Sequence, residues 1–149
     1  MNRIYKFEKI SDLLSCAGQP TEDQLKQLAG EEYQLIVNLG LSDTKYALPN
    51  EAVLVEKLGM DYLHIPVIFE SPQLSELADF IAYMNHHTDK KVMVHCAANY
   101  RASAFTGLFL FSKAQLTEEE MHHFIEDVWQ PNTVWQAFIK ESTKLIRGN

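Results

Sequence analysis

Residues 90–114 read KKVMVHCAANYRASAFTGLFLFSKA, and the way this stretch divides decides the fold. Its first part, KKVMVHC (90–96), is a short β-rich apolar run of the kind that forms a strand covered on both faces. From Arg101 to Ala114 the residues are apolar nearly all round a helix, so this helix belongs inside the molecule. A buried strand feeding a buried helix is a unit of a mostly parallel α/β sheet. Residues 96–101 then fall at the carboxyl end of a central strand, where open α/β sheets bind their ligands.

The flanking sequence supplies more units of the same sort. RIYKFEKI (3–10) and LLSCAG (13–18) predict two early strands, and TEDQLKQLAG (21–30) predicts a helix with Thr21 as its cap and Gly30 at its end. YQLIVNLG (33–40) is a third strand. PNEAVLVEKLG (49–59) reads as a helix bounded by Pro49 and Gly59, and DYLHIPV (61–67) as the next strand. SPQLSELADFIAYMNHH (71–87) carries Leu74, Leu77, Phe80, Ile81 and Met84 at helical spacing. Two helices close the chain: TEEEMHHFIEDVW (117–129), with capping-box spacing of Thr117 and Glu120, and PNTVWQAFIKESTKLI (131–146). The expectation is one α/β domain over residues 1–149, with a central, mostly parallel sheet of four to five strands flanked by helices.

The chain has 149 residues, enough to bury a real core, and is 46% hydrophobic and 22% charged, as ordinary globular proteins are. A formal net charge of -7 without a basic run argues against nucleic acid as a partner. No apolar run approaches the ~20 residues of a membrane span, and the N-terminus lacks the apolar core of a signal peptide. The chain is therefore expected in the cytoplasm, with no membrane partner. Cys16 and Cys96 are too few for a disulfide framework, so each is either core filling or a reactive thiol. The pairs His86–His87 and His122–His123 are adjacent on helices, point in different directions and make poor metal ligands.

The position of Cys96 favours reactivity. Successive amides in a tight loop at a helix N-terminus form a nest for a tetrahedral anion. The same field favours the thiolate of Cys96, and the planar fork of Arg101 suits two oxyanions of a bound group. The loop has no glycine, although its turn calls for positive φ near the middle; Asn99, at that place, is among the few residues that tolerate the left-handed region.

VHCAANYRAS (94–103) resembles the signature loop of the cysteine-based protein tyrosine and dual-specificity phosphatases. CAGQPTEDQLKQLA, LIVNLG and EAVLVEKLGMDYLHIPV extend the likeness to a bacterial phosphatase-like family, domain of unknown function 442, over roughly residues 10–115. The resemblance implies a phosphatase-like fold and hydrolysis of phosphate monoesters, on a phosphorylated small molecule or protein. Cys96 would then be the nucleophile forming a phosphocysteine and Arg101 the phosphate clamp. His95 would support the thiolate, with residues Ala97, Ala98, Asn99, Tyr100, Arg101 and Ala102 as the phosphate-binding loop. No metal or organic cofactor is implied.

The chain departs from the commoner phosphatase pattern in several places. Four residues, not five, separate Cys96 and Arg101, a spacing shared by the bacterial family and by rhodanese-type sulfurtransferases. The hydroxyl that usually follows the Arg is replaced by Ala102, with Ser103 one place later. The acid expected directly after IPV is replaced by Ile68, which leaves Glu70 as the nearest substitute and Asp43 as a more distant one. An oxyanion-binding module without turnover and a sulfurtransferase carrying a persulfide on Cys96 remain as alternatives. Asn38 and His64 sit on strands and could support the site, with satisfied core groups as the default reading; Cys16 could pair with Cys96 under oxidation, with an inert small residue as the default.

Overall fold

The structure, a computed structural model, describes residues 3–148. Five strands form one sheet: β1 (Glu8–Ser11), β2 (Leu14–Ala17), β3 (Leu35–Asn38), β4 (Asp61–His64) and β5 (Val92–His95), in the order β1-β2-β5-β3-β4. Every pairing is parallel except β1 with β2, which form an antiparallel hairpin at one edge. The three inner strands are buried along their whole length, which is why they read as continuous apolar runs and not as alternating ones.

Six helices flank the sheet: α1 (Glu22–Gly30), α2 (Glu51–Lys57), α3 (Leu74–Asn85), α4 (Tyr100–Ser112), α5 (Glu118–Glu126) and α6 (Thr133–Ile146). Thr21 and Thr117 each close a capping box, with Gln24 and Glu120 as their partners. On one face, Leu35, Val37, Val92 and Val94 pack with Phe80, Phe105, Leu108 and Trp135. On the other, Ile36 and Met93 pack with Leu25, Leu28 and Val55. Alternate residues of each strand thus feed two separate cores. As its composition predicts, α4 runs buried through the first of them.

Register fixes where the loops emerge. His95 at the end of β5 lies opposite both Ala17 of β2 and Asn38 of β3. The segments after these three strands therefore leave the sheet on one rim, side by side.

Three of the boundaries that differ from the sequence expectation have a backbone cause or consequence. Residues 3–7 are not strand, because Lys6 adopts a left-handed backbone (φ 51°) that breaks the extended run and turns the chain back over the rim. The second helix is shorter than 49–59, since Asn50 is itself left-handed (φ 59°) and helical geometry starts only after it. The strand expected over 61–67 ends at His64, and Ile65 and Val67 continue beside β3 with single bonds to the carbonyls of Asn38 and Leu39.

Candidate functional site

Cys96 is the first residue beyond β5, and its amide donates to the carbonyl of Ala17 (3.3 Å). The chain then turns sharply, with Asn99 at φ 67° immediately before α4, so the left-handed backbone expected of this residue is present. The turn is tied from outside. Gln19 N–H donates to Ala97 O (3.0 Å) and Asn99 Nδ2 donates to Lys6 O (2.9 Å). Gly18 sits so close that a Cβ there would lie 2.7 Å from Ala97 O. Within the turn, none of the hydrogen bonds among the described residues uses the amides of Ala97, Ala98, Tyr100, Arg101 or Ala102. These donors lie at the amino end of α4, whose dipole adds positive potential.

Arg101 turns inward. It is only 9% exposed, its Nη1 donates to Val67 O (2.7 Å), and its Nε is enclosed with no partner. Phe69 lies beneath the guanidinium, 6.0 Å from ring centroid to Cζ. Burying such a donor unpaired is costly, and sites that keep one are commonly completed by a ligand. Over the turn lies a small cavity of about 10 Å³, lined by Gln19, Gly40, Thr44, Tyr46, Ala97 and Arg101 among others. That is room for about one water. Cys96 is 1% exposed and precedes the lining residue Ala97, its Cα 3.6 Å from where Gly40 would carry a Cβ.

A buried polar network supports the turn from below. His95 Nε2 meets Glu51 Oε2 at 2.6 Å, and His95 Nδ1 lies 3.2 Å from Cys96 O. A carbonyl only accepts, so Nδ1 donates and the ring is held by both nitrogens. Glu51 also accepts from Gln19 Nε2 (2.8 Å). Burial alone would raise the Glu51 carboxyl; the hydrogen bond and charge of His95, with the Gln19 amide, outweigh it and hold the group below its ordinary value. Tyr62 is pushed up to about 12 by burial and by the Glu51 charge, against an opposing bond from Asn38. Asn38 Oδ1 accepts from Gly40 N (2.8 Å), and His64 Nε2 donates to Gly40 O (2.6 Å). Asn38 and His64 thus clamp both polar groups of a residue lining the cavity, the supporting role and not the default core role read for them.

The structure brings Cys96, residues 97–102, Arg101 and His95 together. Ser103 is fully buried, and its hydroxyl donates back to Tyr100 O (3.1 Å). Glu70 stands elsewhere: it lines a separate groove with residues 71–75 and α6. Asp43 belongs to the segment whose neighbours Leu41 and Thr44 line the cavity. Cys16 is enclosed, and burial pushes its thiol up to about 12 against the influence of the Asn99 side chain, which keeps it un-ionised. Sequence reading missed Glu51, Gln19 and Gly40. Their only sequence signal is position, since each sits within a turn of the carboxyl end of an inner strand or at the start of the next helix.

A mostly parallel sheet with a Cys–turn–Arg cup at the end of its central strand defines a protein of the dual-specificity and tyrosine phosphatase class. The chain belongs to the family described as DSP-PTPase phosphatase fused to NAD+ kinase, whose profile matches residues 7–133. A DUF442 protein from Shewanella putrefaciens CN-32, described as a phosphatase candidate, is 33% identical, with 96% of this chain and 94% of that chain covered and a TM-score of 0.88. Tk-PTP in its active form (20% identity, 93% and 97% covered, TM-score 0.80) has the same fold. So does PTPMT1 in complex with PI(5)P (17% identity, 95% and 96% covered, TM-score 0.81). A comparison with curated proteins finds no significant match.

Proposed function

We propose that this chain is a cysteine-dependent phosphatase that hydrolyses phosphate monoesters through a phosphocysteine. The observation that carries the reading is the Arg101 guanidinium, buried with an unpaired Nε beside a turn of unengaged amides that begins at Cys96. In the first step Cys96 Sγ attacks phosphorus, the bond from phosphorus to the leaving oxygen breaks, and that oxygen takes a proton. In the second, water attacks phosphorus, the S–P bond breaks, and inorganic phosphate leaves with the thiolate restored. The free amides and Arg101 hold the non-bridging oxygens in both transition states, an arrangement in which one lost donor typically costs about 10²–10³ in rate. His95 orients the Cys96 carbonyl and takes no part in bond making. No metal or organic cofactor enters either step.

The proton on the leaving oxygen has two candidate sources, Glu70 and Asp43. Asp43 is favoured by its place in the segment flanking the cavity; Glu70 comes second, since its segment carries the Val67 carbonyl that anchors Arg101 but its side chain lines a separate groove. With an aryl phosphate, Asp43→Asn or Glu70→Gln removes one limb of the pH–rate profile, whichever carboxyl is the acid. The substrate is a phosphorylated small molecule or protein, and the phosphatase family and fold favour phosphorus over the sulfur of a sulfurtransferase.

The test is turnover of a chromogenic aryl phosphate by wild type and Cys96→Ser, beside transfer of sulfur from thiosulfate to cyanide. Phosphate release by wild type alone supports the proposal. Sulfur transfer without phosphate release overturns it in favour of a persulfide carrier. Vanadate binding without either reaction overturns it in favour of an oxyanion-binding module.

A further inference from the structure

Beside the cup lies a second, larger cavity of about 600 Å³, lined by Tyr5, Pro20, Tyr46, Leu48, Ala97 and Ala98 with Gln19, Thr21, Glu22 and Ala47. It shares Gln19, Tyr46, Ala47 and Ala97 with the small cavity over the turn, so the two are compartments of one site. Its size is that of pockets that enclose a whole drug-sized ligand, more than one side chain needs. Its walls are mostly apolar, yet Tyr5 and Tyr46 are 60% and 62% exposed, the two most exposed large apolar side chains of the described residues. Aromatic rings left largely uncovered at the margin of a cavity offer faces for a flat ligand to stack on. Lys6 and Lys45 lie over these two rings, at 5.9 and 5.2 Å from the centroids, and bring positive charge to the rim. Two lysines against the one lining carboxylate, Glu22, leave the rim positive in a chain of net charge -7, which suits the approach of a dianion.

We infer that the substrate is a small-molecule phosphate monoester with a flat, apolar, multi-ring body, its phosphate in the cup and its body between Tyr5 and Tyr46. This rests on the phosphatase reading and adds the chemical class of what the phosphate is attached to. The N-terminal segment is part of the recognition surface in consequence, because Tyr5 reaches the cavity through the fold-back over the rim, where its carbonyl accepts from Gly18 N (2.8 Å).

The test compares 2-naphthyl phosphate with phenyl phosphate, whose leaving oxygens have similar acidity, and both with a phosphotyrosine peptide. The expected result is a kcat/KM for the naphthyl ester on the order of tenfold above the phenyl ester, carried by KM. Tyr5→Ala and Tyr46→Ala bring that ratio toward one. The ratio is independent of each variant's overall rate, and both side chains are exposed, so neither substitution threatens the fold. A wild-type ratio near one overturns the inference while leaving the phosphatase intact, and so does a tenfold ratio that survives in both variants. A peptide turned over better than the naphthyl ester overturns it in favour of a protein substrate. If no ester is hydrolysed but vanadate binds, the phosphatase reading has failed, and the same ratio is read calorimetrically with naphthyl and phenyl phosphonates. Without vanadate binding, both readings fall.

Discussion

Asn99 meets two demands with one side chain. Its left-handed backbone costs an ordinary L-residue about 1–2 kcal/mol, and its amide holds the Lys6 carbonyl. Asn99→Gly relieves the first and loses the second, whereas Asn99→Ala keeps the strain and loses the bond. Chemical denaturation should rank wild type above Asn99→Gly and that above Asn99→Ala, with about 1 kcal/mol between the variants. A reversed order of the two would show that the turn tolerates another backbone. Arg101 makes the same kind of double commitment, with Nη1 on Val67 and Nε left for an anion. Lysine, a point charge without a fork, cannot do both, so Arg101→Lys should lower kcat/KM for an aryl phosphate about 100-fold. The places of Cys96, Asn99 and Arg101 in the turn between β5 and α4 were legible in the sequence, because a buried strand feeding a buried helix puts them there and Asn tolerates positive φ. Glu51 was not, because its meaning comes from His95, 44 residues away, and an acid in the first turn of a short helix otherwise reads as a favourable charge at a dipole.

At the scale of elements, the site is a consequence of strand register. Ala17, Asn38 and His95 end their strands level with one another, so the turns after β2 and β3 press against the one after β5. Gly18 is where the turn after β2 touches the one after β5. Gly18→Ala should push Ala97 outward, costing about 1–3 kcal/mol and reducing aryl phosphate turnover together with stability. Unchanged turnover would mean that the cup is not held from this side. Beneath the rim, α2 contributes Glu51, and its carboxyl links folding to pH. The folded carboxyl titrates below the ordinary value of 4.5, so the unfolded chain binds the proton more readily. The stability this gives is therefore complete above about that value and is lost as pH falls through the lower, folded one. Acid unfolding of wild type should steepen below that pH, and Glu51→Gln should flatten the curve. At neutral pH, Glu51→Ala should cost about 3 kcal/mol or more by leaving His95 without its carboxylate. The strands and helices were readable from periodicity, while the left-handed residues Lys6 and Asn50, which shortened β1 and α2, were not: nothing local in lysine calls for positive φ, and asparagine tolerates it without requiring it.

At the scale of the molecule, the C-terminal helices and the segment between them bring two tryptophans against the Arg101 side of the cup. The family profile ends at residue 133, where α6 begins, yet α6 carries Trp135, which is fully buried and donates from Nε1 to Phe69 O (2.8 Å). Phe69 in turn underlies Arg101 and packs at 5.7–6.2 Å on Tyr100, Trp129 and Trp135. Trp129, just beyond α5, stacks on Tyr100 of the cup at 4.5 Å and nearly parallel. A continuous aromatic path therefore joins α6 to the anion site through the segment that carries Val67. Apolar spacing in 131–146 made α6 legible as an amphipathic helix, but no periodicity could say which loop its tryptophan would grip, since that partner is 66 residues away. Trp135→Ala should cost about 3–5 kcal/mol from the cavity it opens in the core. Trp135→Phe separates packing from the hydrogen bond: it keeps most of the buried ring and frees Phe69 O. If α6 serves the site and not only the core, Trp135→Phe will lower kcat for an aryl phosphate by severalfold while its melting temperature falls only a few degrees. Equal kcat with a lowered melting temperature would confine α6 to holding the core together.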